Sequence, residues 1–137
     1  MSAALDLVKR FEGFSPTVYL CPAGYWTIGY GHVCRQDHPA ITSEEGEAYL
    51  DQDLNIARVA VAKFIVWPIN EYQFDALTSW TFNLGASRLR GSTLRAVINR
   101  GELDEAPDQF RRWVYAGARK LAGLVARREA EAALFQS

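Results

Sequence analysis

The sequence predicts an α+β fold, with a small antiparallel sheet lobe near the N-terminus and a larger all-helical lobe behind it. Three observations support this. Between residues 13 and 41 the chain is rich in β-branched and aromatic residues, punctuated by Pro22-Ala23-Gly24 and by Gly31. That pattern reads as about three short strands joined by tight turns. From Thr42 to about residue 66 a single stretch keeps helical periodicity, and beyond residue 67 the chain reads as helices with caps and glycine stops. The 137 residues, 49% of them hydrophobic, are enough for one domain. We divide it into a sheet lobe (13–41), a connecting helix (42–66) and a helical lobe (67–137) against which the N-terminal helix packs.

Taken in order, Ser2 can cap a helix whose Leu5, Val8 and Phe11 recur at helical spacing, and Gly13 stops it. Glu12 then falls at the negative end of the helix dipole, a bias towards the protonated carboxyl that an acid catalyst needs. Thr17–Leu20, Tyr25–Tyr30 and a piece near Val33 read as strands. Thr42 and Glu45 form a capping box for a helix of roughly 20 residues, about 30 Å long, which Pro68 prevents from continuing. Asn70 with Gln73 starts another helix, whose buried face is Phe74, Leu77, Thr81 and Leu84 and whose cap is Gly85. Ser92 caps a short helix that ends at Gly101. Leu103–Val114 is a further helix, Ala116-Gly117 to Gly123 a loop, and Leu124–Phe135 the last helix. Trp67, Trp80 and Trp113 are assigned to the core.

Net charge is −1, which carries no general nucleic-acid signal. The charge is uneven: residues 1–85 sum to −5 and residues 86–137 to +4. The basic half fits either contact with an anionic polymer or ordinary solvated helix faces. No apolar run reaches the roughly 20 residues of a membrane span. Asp6, Lys9 and Arg10 interrupt any signal-peptide core, so the chain is expected to stay in the cytoplasm until released. Two cysteines, Cys21 and Cys34, do not make a disulfide scaffold. With His32 and His38 they do not match zinc-ligand spacing either, so no metal site is expected.

The chemistry concentrates in FEGFSPTVYLCPAGYWTIGYGH, residues 11–32: Glu12, eight residues, Cys21, five residues, Thr27. This pattern resembles the signature of the phage-type lysozymes, the muramidases of glycoside hydrolase family 24, in its Cys variant. FDALTSWTFNLGASRLRGSTL (74–94) is similar to the family's central helix and Phe-Asn-x-Gly turn. Trp113-x3-Gly117 and Gly123-Leu124-x2-Arg127-Arg128-x2-Glu131 are similar to its C-terminal signature. The resemblance implies a lysozyme-like two-lobed fold joined by a long helix, with a cleft that binds bacterial peptidoglycan. It implies hydrolysis of the β-1,4 bond between N-acetylmuramic acid and N-acetylglucosamine without a cofactor, by a monomer. Release to the wall would need a separate holin-like, membrane-permeabilising protein.

Glycoside cleavage needs an acid for the leaving oxygen and a second group opposite. Glu12 is assigned as the acid. Cys21 acts as a thiolate base, as a nucleophile, or only to position water; Thr27 contributes a hydroxyl. Asn83, Tyr30 and Arg127 are the candidate substrate contacts, although Asn83 also suits a helix cap. Arg127 and Arg128 also suit pairing with Glu12 or a solvated helix face. A Cys21–His32 dyad would make the protein a thiol hydrolase, and loss of activity at the Cys position would leave a silent peptidoglycan-binding relative.

Overall fold

The computed structural model describes residues 2–137. Helix α1, Ala3–Glu12, is capped by the Ser2 side chain, which accepts from the Leu5 N–H, and it buries Ala4, Leu5 and Val8. Strands β1 (Ser15–Leu20), β2 (Trp26–Gly29) and β3 (His32–Val33) form an antiparallel sheet in that order. Tyr19 pairs with Thr27 and Leu20 with Trp26, after an irregularity between Ser15 and Tyr19. Thr27 and Ile28 pair in turn with Val33 and His32. So small a sheet has no core of its own. It leans on α2, where Gly46 lets Phe14 come so close that a Cβ at Gly46 would sit 2.7 Å from the Phe14 ring.

Helix α2, Ser43–Phe64, is the 22-residue connector, started by the expected Thr42/Glu45 capping box. Helix α3, Glu71–Leu84, has a second capping box at Asn70/Gln73. Then come α4 (Ala86–Arg90), α5 (Thr93–Asn99), a 3₁₀ turn at Leu103–Glu105, and α6 (Ala106–Arg111). Strands β4 (Tyr115–Ala116) and β5 (Arg119–Lys120) form a second, two-stranded sheet before α7, Ala122–Phe135.

Two expectations change, and one helix is found where none was expected. The predicted helix over 103–114 is a 3₁₀ turn followed by a six-residue helix, because Pro107 sits in the first turn and the segment is too short to recover. The loop after Val114 is a small hairpin. Helix α4 starts straight after the Gly85 cap of α3, with no side-chain cap to announce it.

The main core lies in the helical lobe around Trp80, Leu77, Leu94, Ile98, Phe110 and Phe135. Trp80 is fully buried, whereas Trp67 is 44% exposed, so its assignment to the core is corrected. A smaller cluster of Leu5, Val8, Tyr30, Leu50 and Leu54 joins α1, α2 and the sheet turn. The cleft opens at this junction.

Candidate active site

Gly31, His32, Asp53, Ile56, Phe82 and Gly85 are among the residues lining a cavity of about 310 Å³ between the sheet, α2 and the end of α3. Glu12 stands at its edge. Gly31 has φ +81°, and a Cβ there would meet Glu12 Oε2 at 3.1 Å. The turn therefore requires glycine, and any Cβ there would press on the carboxylate beside it.

Because α1 packs on α3 and α7, Glu12 meets Arg127. Arg127 Nη1 donates to Glu12 Oε1 at 3.0 Å, with the guanidinium side chain 5% exposed and the carboxylate side chain 26%. For Arg127 the expected pairing with Glu12 holds, while the expected substrate contact is corrected, because so buried a guanidinium has little surface to offer.

The solvated-face reading of Arg127 and Arg128 fails for both, since they are 4% and 0% exposed and surround a Glu131 that is 0% exposed. Ser79 Oγ donates to Glu131 Oε2 at 2.6 Å. Arg127 Nε and Arg128 Nη2 reach the same oxygen at 3.4 and 3.3 Å. Arg128 Nε lies 2.9 Å from Glu131 Oε1, a close ion pair outside hydrogen-bond geometry. Burial pushes Arg128 down to about 10, against the pull of Glu131. Burial also raises the Glu131 carboxyl, opposed first by Arg128 and then by Ser79 and Arg127.

Cys21 is held differently. It follows β1 and opens a tight turn in which the Cys21 N–H donates to Tyr25 O and the Gly24 N–H to Cys21 O, both at 2.9 Å. The backbone N–H of Tyr25 is the largest influence holding the thiol below its ordinary value. Partial burial opposes it, and the Thr27 hydroxyl with the Ala23 and Gly24 backbones adds to the lowering. The turn is a small nest of donors for a thiolate. Thr27, 3% exposed, places Oγ1 2.9 Å from Tyr25 O. Its single proton serves either that carbonyl or the sulfur.

Tyr19 was not among the sequence candidates. Burial raises its phenol first, and the negative charges of Glu12 and Cys21 raise it further. Strand periodicity could have found it, since Tyr19 and Cys21 are two apart and share a face.

Tyr30, expected to face substrate, is 9% exposed. Its ring lies 5.1 Å from that of Phe14 and belongs to the cluster between α1 and α2. Asn83 is exposed next to the cleft residue Phe82, and its Oδ1 accepts from Arg128 Nη2 at 2.9 Å. The helix cap is Gly85, not Asn83. His32 forms no dyad with Cys21. Its Nδ1 lies 2.8 Å from Asp53 Oδ2, and its ring stacks on Tyr49 at 4.5 Å. Both cysteines are free thiols. Among the described residues no cluster of three His, Cys, Asp or Glu is placed to hold a metal ion, and no helix is long and apolar enough to cross a membrane.

A half-buried acid beside an interlobe cleft, with an activated side chain at the end of a small sheet, defines a lysozyme-like glycosidase site. The chain belongs to the phage lysozyme family, whose model matches residues 9–131. It is 39% identical to an endolysin of Acyrthosiphon pisum secondary endosymbiont phage 1, over 97% of this chain and 94% of that protein. It is 36% identical to an endolysin of Bacillus phage B103, of which it spans only 52%. Among solved structures, the muramidase domain of SpmX from Asticaccaulis excentricus superposes with a TM-score of 0.92 at 33% identity, covering 100% of this chain and 97% of that one. A mutant of P22 lysozyme gives 0.89 at 34% identity, with the same coverage of 100% and 97%.

Proposed function

We propose that this protein is an endolysin-type muramidase that hydrolyses the β-1,4 bond between N-acetylmuramic acid and N-acetylglucosamine in bacterial peptidoglycan. The observation that carries this reading is Glu12, half-buried at the cleft edge and held by Arg127, in a chain of the phage lysozyme family. Glu12 in its protonated form gives its proton to the glycosidic oxygen as the bond breaks. The Cys21 thiolate, favoured by its turn, takes a proton from water as that water attacks the sugar, and Thr27 orients the pair. Asn83 offers its amide to the sugar from the helical side. Nothing in the site favours a silent binding relative, because Glu12, Cys21 and Thr27 are all present.

Action as a monomer, and passage to the wall through a separate membrane-permeabilising protein, belong to the same reading. Co-expression with and without such a protein tests the passage by the onset of lysis.

The direct test is a peptidoglycan suspension assayed for clearing and for new reducing ends. Wild type should produce both. Glu12→Gln should lose roughly 10²–10⁴-fold of the rate while still binding walls. Clearing that persists in Glu12→Gln would sink the acid assignment, and wall binding by wild type without reducing ends would sink the muramidase reading. A glycosyl adduct on Cys21, found by mass spectrometry, would replace the base by a nucleophile.

A further inference from the structure

Ten cations follow residue 85, and two of them, Arg127 and Arg128, point into the protein around one carboxylate. Glu131 carries no substrate-facing surface, yet it touches both. Through Arg127 it reaches Glu12, the last residue of α1, and through Arg128 it reaches Asn83, one residue past the cleft-lining Phe82 on α3. Ser79, one helical turn before Asn83, fixes the same carboxylate from α3. Two buried guanidiniums against one carboxylate leave an excess of positive charge, which is stable only if something outside the trio draws on it. Three oxygens do so, Glu12 Oε1 and the Ser79 carbonyl on Arg127 and Asn83 Oδ1 on Arg128, and of these the Glu12 and Asn83 oxygens belong to cleft side chains.

We infer that Glu131 is a positioning residue for the reaction: as the shared anchor of the Arg127–Glu12 and Arg128–Asn83 arms, it sets how strongly the acid feels its guanidinium and couples the acid to the helical wall of the cleft. The inference rests on the muramidase reading for its readout. Glu131 and Arg127 are one helical turn apart on α7, so the carboxylate shares the charge of Arg127 and moderates it at Glu12. Without that anion Glu12 faces a fuller cation and gives up its proton more readily.

The other charged groups nearby do not compete for this role. Facing Glu12 are Arg127 from α7 and Tyr19 from β1, while Lys9 on its own helix is tied to Glu47 of α2. Facing Glu131 are Ser79 from α3 and the two arginines of α7. The pairing of Arg111 on α6 with Glu129 on α7 lies at the surface.

The test is the pH–rate profile of reducing-end release. In Glu131→Gln the alkaline limb, where the acid has lost its proton, should move to lower pH by ~0.5 unit or more, below the 1–3 units expected of a directly adjacent charge. Glu131→Asp should return it part of the way. Ser79→Ala removes one oxygen from the network and guards against a misfolded Glu131 variant. It should move the limb the opposite way, to higher pH, and by less, because without the hydroxyl Glu131 Oε2 turns its charge wholly to the arginines and moderates Arg127 more. Arg128→Lys should raise KM more than it lowers kcat and leave the limb in place. A purely structural role would scale the rate equally at every pH, so an unmoved limb in folded Glu131→Gln or Ser79→Ala overturns the inference. A wild type with no activity at any pH overturns the muramidase reading instead, which keeps the two failures distinct.

Discussion

Glu12 is held from the far end of the chain and Cys21 from within its own turn. The partner of Glu12 is Arg127, 115 residues away, buried, and locked in turn by Glu131 and Ser79. The groups that favour the Cys21 thiolate are Tyr25, Thr27, Ala23 and Gly24, all within six residues. The acid therefore depends on the docking of α7 against α1 and α3, and the thiol on one hairpin turn. A perturbation of the helical lobe should reach the acid first and leave the thiol alone. A perturbation of the hairpin should do the reverse.

The strongest way to break this contrast is Arg128→Ala. It leaves Glu131 with one cation and frees Asn83, so the loss of stability should be about 3–5 kcal/mol, as for other broken buried pairs. Urea unfolding measures it. Under conditions where the variant remains folded, the pH at which Cys21 is half-alkylated should match wild type. A shift there would show that the two halves of the site are not separately held.

A smaller effect is expected on the other side. Gly24 has φ +89° and open space around a would-be Cβ, so Gly24→Ala meets conformational strain but no clash. The cost should be roughly 1–2 kcal/mol. Because the Gly24 and Tyr25 N–H groups belong to the thiolate nest, the alkylation midpoint of Cys21 should rise. An unchanged midpoint with the expected loss of stability would mean that the turn shapes the hairpin without acting on the sulfur.

The same division explains what the sequence could disclose. Glu12, Cys21 and Thr27 were legible because the spacing of 9 and then 6 lies within a single stretch, and the caps at Ser2, Thr42 and Asn70 were legible because capping is local. Arg127 and Arg128 were half legible. Their i,i+4 and i,i+3 spacing to Glu131 is written in the sequence, but it does not say that all three are buried, and charged helix residues are ordinarily solvated. Tyr30 was misplaced because alternation along β2 does not carry through the turn at Gly29–Gly31. Strands β4 and β5, two exposed residues each, and α4, five residues without a cap, are too short to leave a periodic signal.

A still smaller change tests the thiol against an internal reference. Cys34 lies just beyond β3, and burial holds its thiol above the ordinary value. Cys21 is held below it. A thiol reacts as its thiolate, so on raising the pH with iodoacetamide present, Cys21 should be modified first and Cys34 later, followed by mass spectrometry of each peptide. Thr27→Val keeps the strand and the volume but removes the hydroxyl, which ranks below the Tyr25 backbone among the groups lowering Cys21. The Cys21 midpoint should then rise by less than in Gly24→Ala, Cys34 should not move, and the stability change should come from the lost bond to Tyr25 O, about 0.5–1.5 kcal/mol. If the Thr27→Val shift instead equals that of Gly24→Ala, the hydroxyl proton points at the sulfur and not at the carbonyl, and Thr27 acts on Cys21 directly.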